Sequence, residues 1–272
     1  MTRFTIITVC YNAAAILPRT LDSVRIQQWP HVQHIIIDGA STDDTMQCVA
    51  HYQHRCAQQQ SPHTITVVSE PDKGIYDAMN KALPLVEGDY VVYLNAGDAL
   101  PHPDTLYNIG TRARNTNADA LPGVIYGDTD LIDAAGLVVG HRHLSAPQHL
   151  DSRSFRKGML VCHQAFYARA DLARHTPYDL RYRFSADVDW CIRILKAAEA
   201  QHATTLNMHR VLVHYLREGT TTRNHRASLR ERFSVMRRHY GLSTTLLQHA
   251  AFCVRALKRK IGLDRKNKKI QK

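Results

Sequence analysis

The run Phe4-Thr5-Ile6-Ile7-Thr8-Val9-Cys10, followed by Tyr11-Asn12, sets the fold class. Its β-branched and aromatic residues read as a strand, and the polar pair reads as its end. The run is apolar almost throughout, as expected of a strand buried on both faces of a parallel sheet. Three further segments repeat the pattern: Gln33–Asp38, Thr64–Val68 and Asp89–Leu94. Helical stretches separate them, from about Ile16 to Gln28, from the capping residues Thr42-Asp43-Asp44 onward, and from Gly74 to Val86. In the last, Ile75, Ala78, Met79, Ala82, Leu83 and Val86 recur at helical spacing. Strand and helix therefore alternate from the N-terminus, which predicts a largely parallel sheet covered by helices on both faces.

The second half is less regular. Residues 123–132 and 137–139 read as strands joined by a turn at Ala135-Gly136, and His141–Lys157 reads as a polar loop. Phe166-Tyr167 ends a short strand, Ser185–Ala198 is a helix, residues 204–216 a strand and residues 226–240 a basic helix. Beyond them Leu246, Leu247, Ala250, Cys253, Val254, Leu257 and Ile261 form an apolar helical stripe.

The chain of 272 residues is 44% apolar and 22% charged, enough for one large core and unlike a disordered chain. Its six cysteines form no C-x-x-C pair, which argues against a zinc knuckle and fits a reducing compartment. No apolar run is long enough to span a bilayer, and the N-terminus is too short and polar for a signal peptide, so a cytoplasmic protein is expected. Lys and Arg number 35 against 24 Asp and Glu, a net charge of +11. Between Arg223 and Lys272 there are 15 basic and 2 acidic residues, so the tail carries the whole excess. Such a run is either a solvated face or a surface that docks on anions. The shift in composition divides the chain into a domain at 1–222, with halves 1–98 and 99–222, and a basic helical extension at 223–272.

Ligands of open α/β sheets sit beyond the carboxyl ends of the strands. Here those ends carry Tyr11-Asn12, Asp38-Gly39, Glu70-Pro71-Asp72 and Asn95-Ala96-Gly97-Asp98. Each alone is ordinary turn chemistry; four converging on one edge point to a polar site. Neither the dinucleotide fingerprint nor the P-loop pattern is present.

In order and spacing, Ile-Thr-Val-Cys-Tyr-Asn, Ile-Asp-Gly-Ala-Ser-Thr-Asp-Asp-Thr, Asp-Lys-Gly-Ile-Tyr-Asp-Ala-Met-Asn-Lys-Ala and Tyr-Leu-Asn-Ala-Gly-Asp resemble the family 2 inverting glycosyltransferases, over about residues 4–217. The resemblance implies a GT-A fold, an α/β fold with a mixed, mostly parallel nucleotide-binding sheet. It implies that Thr8 and Tyr11 line a nucleobase pocket beside Asn12 and that Asp38 accepts a hydrogen bond from uracil. Asp43 would lie near the nucleoside, or simply cap a helix. Lys73 and Gly74, at a helix start, suit a diphosphate.

Family members often hold a divalent cation with two carboxylates spaced D-x-D. This chain has Asn95 and Gly97 there, so Asp98 is the remaining charged ligand for Mg²⁺ or Mn²⁺ on the donor diphosphate. Ser185-Ala186-Asp187-Val188-Asp189-Trp190 resembles the family's acidic motif with its first acid replaced by alanine, which leaves Asp187 as the general base and Asp189 in reserve. Cys162-His163-Gln164-Ala165 resembles a segment near the acceptor pocket, where His163 could bond donor or acceptor. His214 could reach the metal. The Q-x-x-R-W motif of processive synthases is absent, which implies addition of a single sugar.

The expected activity is transfer of one sugar from a nucleotide sugar, UDP-linked, to a saccharide acceptor, often lipid-linked, in surface-polysaccharide assembly. The stripe and basic residues of 246–272 predict docking on an anionic membrane, on the inner face of the cell membrane. The alternatives are a sugar nucleotidyltransferase, which lacks its Gly-rich basic loop here, and a nucleic-acid-binding protein, for which the tail lacks exposed aromatics. No nucleic acid partner is expected.

Overall fold

The computed structural model describes residues 1–116, 121–217 and 225–255. Its first half follows the alternation of the sequence: β1 (Phe4–Cys10), α1 (Leu17–Arg25), β2 (Val32–Asp38), α2 (Thr45–Gln58), β3 (Thr64–Ser69), α3 (Ile75–Ala82) and β4 (Tyr90–Tyr93). Then come α4 (Thr105–Thr116), β5 (Val124–Ile132), β6 (Val138–His141), β7 (Phe166–Arg169), α5 (Ala170–Arg174), α6 (Ala186–Ala200), β8 (Thr205–Leu216) and α7 (His225–Tyr240). Residues 242–255 form a last described helix, α8.

Eight strands make one sheet in the order β3-β2-β1-β4-β7-β5-β6, with β8 paired to β5. Strands β1 to β4 pair in parallel, as their apolar runs predict. Strand β7 enters antiparallel between β4 and β5, which makes the sheet mixed. Alternate strand residues face opposite layers: Ile35 and Ile37 join the larger core, while Ile36 packs with Leu17, Leu21, Val49 and Tyr52 of α1 and α2. Both layers are built of buried apolar side chains, and each fully buried aliphatic one contributes about 1.5–3 kcal/mol.

From β1 the chain steps to β2 and β3 on one side, then returns to place β4 on the other. The reversal opens a crevice at the carboxyl ends of β1 and β4, the place where open α/β sheets bind ligands. The antiparallel entry of β7 is what completes it. Tyr90 pairs with Arg169 and Val91 with Ala168, so the turn that precedes β7, His163–Ala165, comes to lie beside Asn95 at the end of β4.

Helices α4 and α5 do not appear in the sequence reading. In α4, Gly110 interrupts the pattern because a Cβ there would stand 2.7 Å from the Trp29 ring. The expected boundary at 222/223 falls within 218–224, outside the described residues. Helix α7, beyond it, is packed into the body: Val235 and Met236 are fully buried. Helix α8 folds back on α7, with the His249 ring 5.0 Å from that of Phe233. Its apolar stripe turns the other way: Leu246, Leu247 and Val254 are 53%, 72% and 52% exposed. Leu257, Ile261 and the basic residues from Lys258 onward lie outside the described residues.

Candidate active site

The donor end of the crevice is built by the turns after β1 and β2. Asn12 adopts a left-handed backbone (φ 48°) that turns the chain away from β1. Its side chain accepts the Thr42 amide at 2.8 Å, and its own amide donates to Ser41 Oγ at 2.8 Å, so the two turns are knitted together. Tyr11 is exposed, with its Cδ2 edge beside Gly39. Asp72 closes the same corner, its carboxylate against Gly39 Cα and its Oδ1 accepting the Gly74 amide at 2.7 Å. Gly74 sits at φ 121°, a backbone state open to glycine, and starts α3. Lys73 beside it is exposed.

Three residues assigned to the nucleoside are engaged elsewhere. Thr8 is fully buried, and its hydroxyl meets His34 Nε2 at 3.0 Å. Asp38 is fully buried as well and accepts the Ser41 amide at 3.1 Å and the Ser69 hydroxyl at 2.6 Å. Asp43 accepts the Thr45 amide at 3.0 Å and the Ala14 amide at 3.1 Å; the Thr45 hydroxyl and these amides hold its pKa below the usual carboxylate range. It ties the first residue of α2 to the turn after β1, while the cap position itself is Asp44. These carboxylates shape the walls of the crevice, and Tyr11 and Asp72 present the open groups.

At the β4 end, Asp98 is 3% exposed. Its Oδ1 accepts the Leu216 amide at 2.9 Å and its Oδ2 the Gln164 side-chain amide at 3.1 Å. Burial pushes its pKa up to about 7 against the opposing effect of these donors. Asn95 Nδ2 stands 3.5 Å from His163 Nε2, while Asn95 Oδ1 is buried with no hydrogen-bond partner. No group of three His, Cys, Asp or Glu among the described residues could hold a metal by itself. The orphaned Asn95 oxygen and the remaining lone pairs of Asp98 are hard oxygen donors. They fit a Mg²⁺- or Mn²⁺-type ion that takes its other ligands from phosphate and water. His214 is bridged through its backbone to Ala99, and burial lowers its pKa.

Across the crevice, Asp187 lies in the first turn of α6 with its side chain 19% exposed. The Tyr76 hydroxyl donates to Oδ1 over 3.3 Å, and His163 Nδ1 stands 3.6 Å from Oδ2, ion-pair distance rather than a hydrogen bond. Burial works to raise the Asp187 pKa; His163, Arg232 and the Val188 amide outweigh it and hold the group below its ordinary value. The result is a carboxylate that is ionised at neutral pH, partly open, and braced on two sides. Asp189 is fully buried and bonded to Arg193 Nε at 2.6 Å and His239 Nε2 at 2.8 Å, so it has no access to a substrate.

Asn95, Asp98, His163 and Asp187 therefore converge, although they come from three separate parts of the chain. From the sequence, Asp72 stood out only as part of a polar strand end and Tyr76 and Gln164 only inside quoted segments, none with a role, and Arg232 was not singled out. Tyr76 and Asp72 lie inside or beside the quoted Asp-Lys-Gly-Ile-Tyr-Asp segment, where Tyr76 passes for an ordinary apolar-face residue.

A mixed, mostly parallel sheet with its polar crevice at the β1/β4 switch point is the GT-A arrangement of nucleotide-sugar transferases. Residues 5–175 match the model of glycosyl transferase family 2, and the chain belongs to that family. It is 32% identical over 191 residues to a PGL/p-HBAD biosynthesis glycosyltransferase of Mycobacterium bovis, covering 70% of this chain and 68% of that one. Among solved structures it resembles S. aureus TarS 1–349 in complex with UDP-GlcNAc, with a TM-score of 0.65, 16% identity and coverage of 87% and 65%. It also resembles glucosyl-3-phosphoglycerate synthase from Mycobacterium tuberculosis in complex with Mn²⁺, UDP and glucosyl-3-phosphoglycerate, with a TM-score of 0.55, 15% identity and coverage of 89% and 81%. The protein is a glycosyltransferase.

Proposed function

We propose that the enzyme is an inverting transferase that moves one sugar from a UDP-sugar to a hydroxyl of a saccharide acceptor. The observation that carries this reading is the ionised, partly open Asp187 carboxylate facing the β4 end of the crevice. Asp187 takes the proton of the acceptor hydroxyl as its oxygen forms a bond to the anomeric carbon. The bond from that carbon to the donor phosphate breaks on the opposite face, and the nucleoside diphosphate leaves with the electron pair. One displacement inverts the anomeric centre. Tyr76 and His163 orient the base.

The exposed Tyr11 ring offers a stacking face for the nucleobase, and the UDP ligands of the two structural relatives support a uridine donor. Asp98 and Asn95 would hold a divalent cation, a reading supported by the Mn²⁺ in one of those relatives. When bound, such an ion neutralises charge on the leaving diphosphate. The exposed Lys73 ammonium offers a further positive charge for the diphosphate from the start of α3.

A lipid-linked acceptor in surface-glycan assembly is supported by α8, which offers Leu246, Leu247 and Val254 outward, and by exposed Arg226, Arg230 and Arg237 on α7. An apolar face with a cationic rim suits an anionic membrane surface. No helix among the described residues is long and apolar enough to cross a membrane.

The test is a donor screen that reads release of UDP, GDP or dTDP from matched sugars, run with Asp187→Asn alongside. UDP release by the wild type and a fall in kcat of about 10²-fold or more in the variant are expected. Wild-type turnover in Asp187→Asn defeats the assignment of the base.

A further inference from the structure

We infer that Glu231 of α7 is a positioning residue for the Asp187 base, so the active site is completed by a helix that lies beyond the matched family segment. The inference rests on the reading of Asp187 as base. Helix α6 begins at Ser185, whose side chain makes no capping bond to its own helix. The first amides of a helix have no partner inside it and need one from elsewhere. Glu231 acts one step earlier, on the three amides that lead into the helix. Its Oε1 accepts the Arg183 amide at 2.9 Å, and its Oε2 accepts those of Phe184 at 2.7 Å and Ser185 at 3.0 Å. One carboxylate thus fixes three consecutive peptide units that end two residues before Asp187.

Helix α7 holds α6 at two further points. The Ser185 hydroxyl donates to the Ser228 carbonyl at 3.1 Å, and His239 meets the buried Asp189 at 2.8 Å. These contacts flank Asp187 on both sides along α6. Arg232, next to Glu231, helps to hold the Asp187 pKa down. The Asp187 side chain therefore reaches Tyr76 and His163 from a backbone that α7 sets. The family match stops at residue 175, so neither α6 nor α7 lies within it.

Misplacing a catalytic group by an ångström costs a large part of its effect, while substrate binding elsewhere is untouched. The experiment uses the full chain with Glu231→Ala and Glu231→Gln, each also combined with Asp187→Asn. Glutamine keeps one acceptor for Phe184 and Ser185. Glu231→Ala should lower kcat about tenfold or more, Glu231→Gln less, with UDP affinity and donor KM within about twofold of wild type. If Glu231 acts through the base, its substitution changes little once Asp187 is Asn, because residues that act as one unit are not additive.

A wild-type kcat in Glu231→Ala, or an equal loss on the Asp187→Asn background, overturns the inference and leaves the base reading standing. A parallel loss of UDP affinity also overturns it and makes Glu231 a general structural prop. Should the alanine variant not fold, Glu231→Gln carries the same comparison. Wild-type turnover in Asp187→Asn alone removes the base reading instead.

Discussion

His163 Nδ1 stands 3.6 Å from Asp187 Oδ2, and the same ring approaches Asn95 through Nε2 at 3.5 Å. One imidazole thus joins the end of β4 to the start of α6. The acid limb of activity follows from this contact. The Asp187 pKa is a balance in which burial raises it and His163 leads the groups that lower it. Removing His163 leaves burial less opposed, so the pKa rises. In His163→Asn the acid limb of kcat/KM should shift to higher pH relative to wild type. An unmoved limb means that His163 does not tune the base.

Asp98 carries a structural role that is separable from any cation. Asp98→Ala strands the Leu216 amide and the Gln164 side chain, at about 1–3 kcal/mol for each buried donor left unpaired. Its melting temperature should fall below that of wild type even when both are measured in excess chelator. Chelator should abolish wild-type activity, and Mn²⁺ should restore it. Equal melting temperatures in chelator would leave Asp98 with a metal role alone.

His34 is buried between the Thr8 hydroxyl and Tyr52 Oη, the latter at 2.8 Å. Burial, reinforced by His63, lowers its pKa to about 3. An unfolded histidine titrates near pH 6.5. Below that pH the unfolded chain binds a proton that the folded chain refuses, so stability is full above about pH 6.5 and is lost as pH falls toward 3. The slope for one such group is about 1.4 kcal/mol per pH unit. Denaturant melts at a series of pH values should show a slope shallower by about one proton in His34→Gln. An identical slope would shift the acid sensitivity to other groups.

Gly110 tests the packing of α4. Alanine is the better helix former by about 1 kcal/mol. Its Cβ would meet Trp29 Cζ2 at 2.7 Å and Cη2 at 2.8 Å, in a ring that is 2% exposed. Overpacking of this kind costs about 1–3 kcal/mol, so Gly110→Ala should lower stability on balance. A stabilised variant would mean that Trp29 yields freely.

The outward stripe of α8 predicts binding to anionic vesicles at low salt and release at high salt. Leu246→Glu with Leu247→Glu should abolish cosedimentation and leave UDP release from the donor unchanged. Both positions are exposed, so the substitutions cost little stability. Vesicle binding that survives both changes would assign docking to another surface.

The alternation from β1 to β4 and the helices between them was legible because β1, β2 and β4 are buried on both faces, the edge strand β3 keeps the same β-branched run half-buried, and the helices are buried on one face. Local pattern records burial directly. The polar strand ends were equally visible, and Asn95 and Asp98 do come to lie beside Gln164 and His163. Their division of labour was not. Thr8 and Asp38 occupy the positions that the resemblance assigns to the nucleoside, yet their side chains are spent on His34, Ser41 and Ser69. Ser41 is local to Asp38, but His34 and Ser69 come from other strands, and nothing in the sequence neighbourhood of Thr8 or Asp38 specifies them. Helix α4 was hidden by Gly110, whose reason is a tryptophan distant in sequence. The antiparallel entry of β7 sets His163 beside Asn95, and α7 packs on α6 to set Asp187. Both depend on which faces cover which, a property of the assembled core. Residue pattern alone was enough for the strands, for the order of the elements in the first half and for the residue types available for chemistry, though not for α4 or α5. Tertiary packing decided that Asp38, Asp98 and Asp189 are closed off by donors from other segments while Asp187 is left partly open, because burial and long-range partners are settled between segments.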